Sequence, residues 1–276
     1  MYVILAVAAV LLVMLLIYGY LSNYMLKTEY YDIATGEGKG RTVKIVMLAD
    51  LHGNRFGADN ARLINKIREE TPDLICMAGD MTVKDGKGTD SCLALCKELV
   101  SLCPVFYAPG NHEIRMENYD KYVSDVMEIG VNWLDNEHKY IQVKDKNIWI
   151  YGLNMEEHYY HKFWQHRDIS KAIIREYLGT AAGDGIRLLL AHNPEYFEAY
   201  CEWGGDLIFS GHVHGGIARL PLLGGVIAPS LQLFPKYDSG LFRKGKTSMV
   251  LSRGLGTHHI RLRFFNSPEI SVINLS

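Results

Sequence analysis

Two hydrophobic regimes divide the chain. From Tyr2 to Tyr20 there is no charged residue and almost nothing polar beyond Tyr and Gly. At about 1.5 Å per residue a helix of this length covers the roughly 30 Å hydrocarbon core of a bilayer. Tyr18, Tyr20 and Tyr24 cluster at its end, as an interfacial aromatic belt does. A cleaved signal peptide would want a basic start, a shorter apolar core and a small-residue cleavage site. No Lys or Arg precedes Lys27 and no such site follows, so residues 1–24 read as an uncleaved anchor. Lys27, Lys39, Arg41 and Lys44 all lie after it, which leans the rest of the chain toward the cytoplasmic side of a single-pass cell-membrane protein. Residues 25–42, polar and glycine-containing from Tyr30 to Gly40, read as a tether.

From residue 43 to 276 the pattern alternates between short apolar runs and amphipathic stretches. Val43–Leu48, Leu74–Met77, Val105–Tyr107, Ile186–Leu190 and Asp206–Phe209 predict buried strands. Asn60–Glu70, Ser91–Leu102, Met116–Ile129, Ile169–Leu178 and Pro194–Glu202 predict helices. Tyr140–Val143 and Ile148–Tyr151 alternate around Asp145-Lys146-Asn147, a hairpin signal, and Thr247–Leu251, Arg261–Phe265 and Ile270–Asn274 predict closing strands. The fold class is α/β: two mixed sheets packed face to face with helices outside, a four-layer α/β/β/α sandwich preceded by one transmembrane helix.

Composition changes this picture little. With 48% hydrophobic residues and a net charge of −2 the chain can bury a large core and has no general attraction for nucleic acid phosphates, so no specific nucleic acid partner is expected. The five cysteines are odd in number and form no CxxC pair, which predicts reduced structural thiols.

The chemistry lies where the strands stop, which is where ligands gather in α/β sheets. The five buried runs are followed by Asp50-Leu51-His52, Gly79-Asp80, Gly110-Asn111-His112-Glu113, His192-Asn193 and Gly211-His212-Val213-His214. Residues two apart in a strand point to one side, so His212 and His214 are expected to project together and hold a cation between them. Oxygen and imidazole donors without thiolates suit Mn, Fe, Zn or Ni. Four His and three oxygen side chains exceed what one tetrahedral ion needs, so two ions are implied.

These blocks, in this order, resemble the calcineurin-like metallophosphoesterase superfamily, whose pattern runs D-x-H, G-D, G-N-H-[DE], a later His, then G-H-x-H. The glycine-rich stretch from Gly211 to Tyr237, with Ser252-Arg253-Gly254-Leu255-Gly256-Thr257, resembles its bacterial membrane-associated phosphodiesterase branch. The resemblance implies that Asp50, His52 and His214 hold one divalent metal, that Asn111, His192 and His212 hold the other, and that Asp80 bridges them. It implies a water or hydroxide shared by the metals as nucleophile. His112 is implied to stabilise the phosphate or protonate the leaving oxygen, with Glu113 orienting it by a hydrogen bond. Mn²⁺ is the first choice of metal, with Zn²⁺ or Fe as alternatives.

Asn54, Arg55 and His258 are candidate substrate contacts. His158, His161 and His166, among aromatic neighbours, predict a lid. The apolar, breaker-rich run from Leu220 to Pro229 is no regular helix; beside an anchored site it would suit a lipid-linked phosphodiester or pyrophosphate. A phosphomonoesterase or protein phosphatase would use the same metal site. A non-catalytic metal-binding scaffold would tolerate a missing ligand, and none is missing.

Overall fold

The computed structural model describes residues 1–35, 40–160, 168–216, 219–220, 223–228, 232–257 and 262–276. The apolar stretch is one helix, α1 (Tyr2–Leu21), followed by a single turn at Ser22–Tyr24, and most of it lies outside the rest of the protein. The remainder is the expected four-layer sandwich.

The first six-stranded sheet runs, in spatial order, β1 (Lys27–Ile33), β14 (Glu269–Leu275), β2 (Val43–Leu48), β3 (Leu74–Ala78), β4 (Val105–Ala108) and β5 (Asn132–Trp133). Only the β14–β2 pair is antiparallel. The second runs β12 (Gly240–Lys244), β13 (Thr247–Leu251), β9 (Leu207–Ser210), β8 (Ile186–Ala191), β7 (Lys146–Leu153) and β6 (Glu137–Val143), with both outer pairs antiparallel. A small hairpin pairs β10 (Arg219–Leu220) with β11 (Gly224–Gly225).

Alternation along the central strands builds the layers. Ile45, Met47, Leu188, Leu190 and Phe209 face between the sheets. Val46, Leu48 and Met77 face outward onto α2 (Ala61–Glu69), α3 (Thr89–Val100) and α4 (Tyr119–Glu128). Leu189 and Ile208 face α5 (Lys171–Leu178) and α6 (Phe197–Trp203). Every position of β3 and β9 is buried, which is why these strands read as continuous apolar runs.

Four expectations are corrected. Lys27–Ile33, expected within a tether, is a strand in full register with β14, so the folded unit begins just after the helix. Its mixed exposed and half-buried residues hid it. The helix expected over 116–129 begins at Tyr119, after a separate turn at Glu113–Arg115. The 140–151 hairpin turns tightly at Lys144-Asp145, with Lys144 left-handed (φ 57°), because Val143 pairs with Lys146. Within 262–265 there is no strand; Phe265 is left-handed (φ 53°), and the Phe264 carbonyl accepts from the Arg219 amide at 3.0 Å. All five cysteines are free.

Candidate metal centre

The carboxyl ends of the parallel strands β2, β3, β4, β8 and β9 meet along one edge of the sandwich. Adjacent loops are stitched by backbone bonds: Asp50 N–H to Gly79 O (3.0 Å), His52 N–H to Asp80 O (3.1 Å) and Gly211 N–H to His192 O (3.1 Å). The β3 and β4 loops touch so closely that a Cβ on Gly110 would lie 2.6 Å from the Asp80 amide. The glycines ahead of Asp80 and Asn111 are thus demanded by that approach.

Asp50, His52, Asp80, His212 and His214 all have positive φ, between 47° and 73°. Each costs of order 1–3 kcal/mol and collects where function requires it. The left-handed turn also corrects the strand-alternation expectation: β9 ends at Ser210, and His212 and His214 diverge. His214 joins Asp50 and His52, whereas His212 joins Asp80 and His192, each trio with ligand atoms within 4.8 Å of one another. A third trio is His52, Asp80 and His112. Asp80 therefore belongs to two of the three.

Distances inside the nest are short. Asp50 Oδ1 lies 3.5 Å from His214 Nε2, 3.7 Å from His192 Nε2 and 3.8 Å from His52 Nε2. Asp80 Oδ2 lies 3.1 Å from His192 Nε2 and 3.7 Å from His52 Nε2. His52 and His214 face each other through Nε2 atoms 3.1 Å apart. His192 Nδ1 donates to Ala78 O at 2.7 Å and His214 Nδ1 to Gly256 O at 3.1 Å, which turns both Nε2 atoms inward. A carbonyl that fixes the tautomer in this way is the usual support of a metal-ligating imidazole. Asn111 Oδ1 is buried with no hydrogen-bond partner among the described residues. A buried amide oxygen left unpaired beside two carboxylates and four imidazoles fits a cation, and the donor set fits two divalent ions.

The electrostatics agree. Burial pushes Asp50 up to about 7, with the Asp80 charge adding to it. Burial also opposes ionised Asp80, but His192, His52 and His112 outweigh it and hold that carboxyl well below its ordinary range. Burial opposes protonated His192, yet the Asp80 and Asp50 carboxylates raise it to about 10. Burial and neighbouring His192 push His212 down to about 3, and burial with His52 pushes His214 down as well. In the metal-free nest ionised Asp80 faces a protonated His192, with neutral His212 and His214 alongside, and a bound cation would take the place of the His192 proton.

His112 is buried beside this nest, its ring 4.7 Å from that of His52. Its Nδ1 accepts the Lys84 amide at 3.2 Å, so the proton of the neutral ring is on Nε2. Glu113 does not orient it. Instead this buried carboxylate accepts the amides of Asp80 (2.8 Å), Thr82 (3.0 Å) and Gly110 (2.9 Å) and the Tyr107 hydroxyl (2.7 Å), tying the β3 loop to the β4 loop. A neighbour in sequence was the natural guess, but its side chain points down into the sheet end.

Asn54 and Arg55 line a cavity of about 210 Å³ with His52. The Asn54 amide donates to Leu255 O at 3.0 Å, and Arg55 is exposed. His258, His161 and His166 lie outside the described residues. His158 pairs with Glu156 at 3.1 Å. Buried Tyr160, which carried no motif, packs its ring 5.3 Å from that of His212. Buried Arg263 also had no local signal; its guanidinium holds the carbonyls of Arg253, Gly254 and Gly256 behind Asp50 and His214.

Residues 43–216 match the profile of the calcineurin-like phosphoesterase family. Phosphodiesterase YaeI of Escherichia coli is 28% identical over 84% of this chain and 82% of its own length. An uncharacterized metallophosphoesterase, YkuE of Bacillus subtilis, is 27% identical over 93% of this chain and 87% of its own. TT1561 of Thermus thermophilus shares the fold, with a TM-score of 0.50, 11% identity, and coverage of 78% of this chain and 90% of that one.

Proposed function

The chain belongs to the calcineurin-like phosphoesterase family and is a metal-dependent phosphoester hydrolase, and from that premise we propose a membrane-anchored phosphodiesterase or pyrophosphatase whose substrate is lipid-linked. In this reading Asp50, His52 and His214 hold one divalent ion, Asn111, His192 and His212 the other, and Asp80 both. The observation that carries it is the position of Asp80, which belongs to the His192–His212 trio while its carboxylate lies 3.7 Å from His52 of the other, reinforced by the unpaired Asn111 oxygen. Two divalent ions, Mn²⁺ first and Zn²⁺ or Fe as alternatives, would neutralise phosphoryl charge and acidify the attacking water when bound.

The chain's own groups complete the chemistry. Asp80, held ionised, offers two oxygens where a neutral amide has one. His112 keeps its ring proton on Nε2 because the Lys84 amide occupies Nδ1, so it can donate to the leaving oxygen. Arg55 at the cavity supplies a guanidinium for a non-bridging phosphate oxygen. Residues 1–24 serve as the anchor, and the basic residues after it favour a cytoplasmic catalytic domain. Lipid-linked substrates are supported by exposed apolar side chains near the helix and its neighbouring loops, Leu220, Leu223 and Phe265 among them.

The test uses the full chain in detergent: metal analysis, then hydrolysis of bis-nitrophenyl phosphate against nitrophenyl phosphate with added Mn²⁺. Two bound ions and preference for the diester are expected. Preference for the monoester would favour a phosphomonoesterase; bound metal without hydrolysis of either ester would favour a scaffold.

A further inference from the structure

The end of α1 is built into the protein. Gly19 is buried, its carbonyl accepts the Arg263 amide at 2.9 Å, and a Cβ there would lie 2.5 Å from the Phe264 ring. Only a glycine lets the helix backbone reach that ring. One residue away, the Tyr18 ring meets Phe265 at 5.5 Å. The Asn23 side-chain amide donates to the Gly19 and Tyr20 carbonyls at 3.2 and 2.9 Å and closes the last turn, while Arg62 of α2 donates to the Tyr24 carbonyl at 3.3 Å.

These contacts lead directly to the nest. The Arg263 guanidinium reaches Gly254 O at 3.2 Å and also Gly256 O. Gly256 in turn accepts His214 Nδ1–H and donates its amide to Asp50 O at 2.6 Å. The helix end is therefore three hydrogen bonds, through Arg263 and Gly256, from two of the seven nest residues. It is also a wall: Asn23 and Tyr24 line the 210 Å³ cavity opposite His52, Asn54, Arg55 and Thr257. Only Met25 and Leu26 separate Tyr24 from β1, so no slack segment lies between the apolar helix and the catalytic fold.

We propose that Asn23 and Tyr24 are substrate-cleft residues, and that the enzyme acts in cis, on phosphodiesters seated in the same bilayer as its own helix. This rests on the anchored phosphodiesterase reading above. Tyr24 lies one helical turn, about 6 Å along the axis, beyond Tyr20, and the tyrosines mark where the helix leaves the hydrocarbon. Phe265, 59% exposed and packed on Tyr18, extends that apolar surface onto the catalytic fold. A headgroup phosphate thus meets the cleft without leaving its membrane, and a phosphate on another membrane cannot approach.

The full chain with Mn²⁺ is reconstituted in vesicles and offered a nitrophenyl phosphodiester of diacylglycerol, placed either in the same vesicles or in separate ones. Tethering on one surface should make cis hydrolysis about a hundred-fold faster than trans. A soluble bis-nitrophenyl ester should turn over equally in both preparations. Tyr24→Ala should raise KM for the cis lipid about five-fold with kcat nearly unchanged, the loss of one aromatic contact, and Tyr24→Phe should restore it. As a readout independent of turnover, a benzophenone side chain at position 24 should crosslink to the lipid headgroup in metal-stripped protein, whereas one at Met127, exposed on α4, should not. Equal cis and trans rates, or a Tyr24→Ala KM equal to that of the wild type, overturns the proposal while leaving the phosphodiesterase reading intact. A wild type silent on the soluble ester with metal bound overturns both.

Discussion

Two halves of one nest lean on different parts of the protein. His192 and Asp80 are held from within the sheets: the Ala78 carbonyl fixes the His192 ring, and Glu113 gathers the amides of Asp80, Thr82 and Gly110. His214 and Asp50 are held from outside the sheets by Gly256, Asn266 (2.8 Å to His214 O) and Arg263, which in turn touches α1. The difference teaches that one ion site is a property of the sandwich, whereas the other also depends on the last loop and the helix.

The largest effect should come from Asp80, which the proposed reading assigns to both ions. Asp80→Ala is expected to lower kcat/KM about a thousand-fold or more and to reduce bound metal at both sites, read by turnover with metal analysis. His112 belongs to neither half by role, so His112→Gln should cost about a hundred-fold or more in kcat while two ions remain bound. Loss of an ion there would instead make His112 a ligand of the His52–Asp80 trio.

The supports separate the halves. Glu113→Gln should weaken the ion of the Asp80–His192 half about ten- to a hundred-fold and spare the other, and Arg263→Met should do the reverse. Titration calorimetry with Mn²⁺ resolves the two; equal weakening of both ions by both variants would erase the comparison.

pH divides them more gently. In metal-free protein the stabilisation from His192, raised from 6.5 to about 10, is complete below 6.5 and is lost as pH climbs through about 10. Asp50, raised from 3.8 to about 7, loses its contribution between those values, while His212, lowered from 6.5 to about 3, loses stability as pH falls through the same acidic range. Of these three groups only His192 still contributes a trend above pH 7. Melting temperature in EDTA should therefore fall from pH 7 to 9 and become flat with saturating Mn²⁺, since the ion then offsets the carboxylates at every pH. The smallest effect lies at the rim: Leu220→Ser with Leu223→Ser should slow a micellar diester about two- to three-fold and leave a soluble one unchanged.

Much of the sandwich half was legible in the sequence. Its strands are apolar on both faces, and each ends in a short block of Asp, Asn or His whose order carries the family pattern. Less of the outer half was. Arg263 reads as one more surface cation until a buried pocket of carbonyls is seen around it, and Lys27–Ile33 lacks the apolar alternation that marks an inner strand because it is an edge. The split of His212 from His214 depends on two left-handed residues, which local spacing does not announce. Glu113 was placed beside the right histidine but given the wrong partner, since sequence adjacency says nothing of the direction a side chain takes after a turn.

The position of β14 has a consequence for biosynthesis. This strand is inserted between β1 and β2, which are both made long before it. While the nascent chain grows, Lys27–Ile33 waits without its neighbour, and the sheet stays open until Glu269–Leu275 has emerged. A polypeptide cut short before Glu269 therefore lacks the strand that joins Lys27–Ile33 to the rest of the sheet.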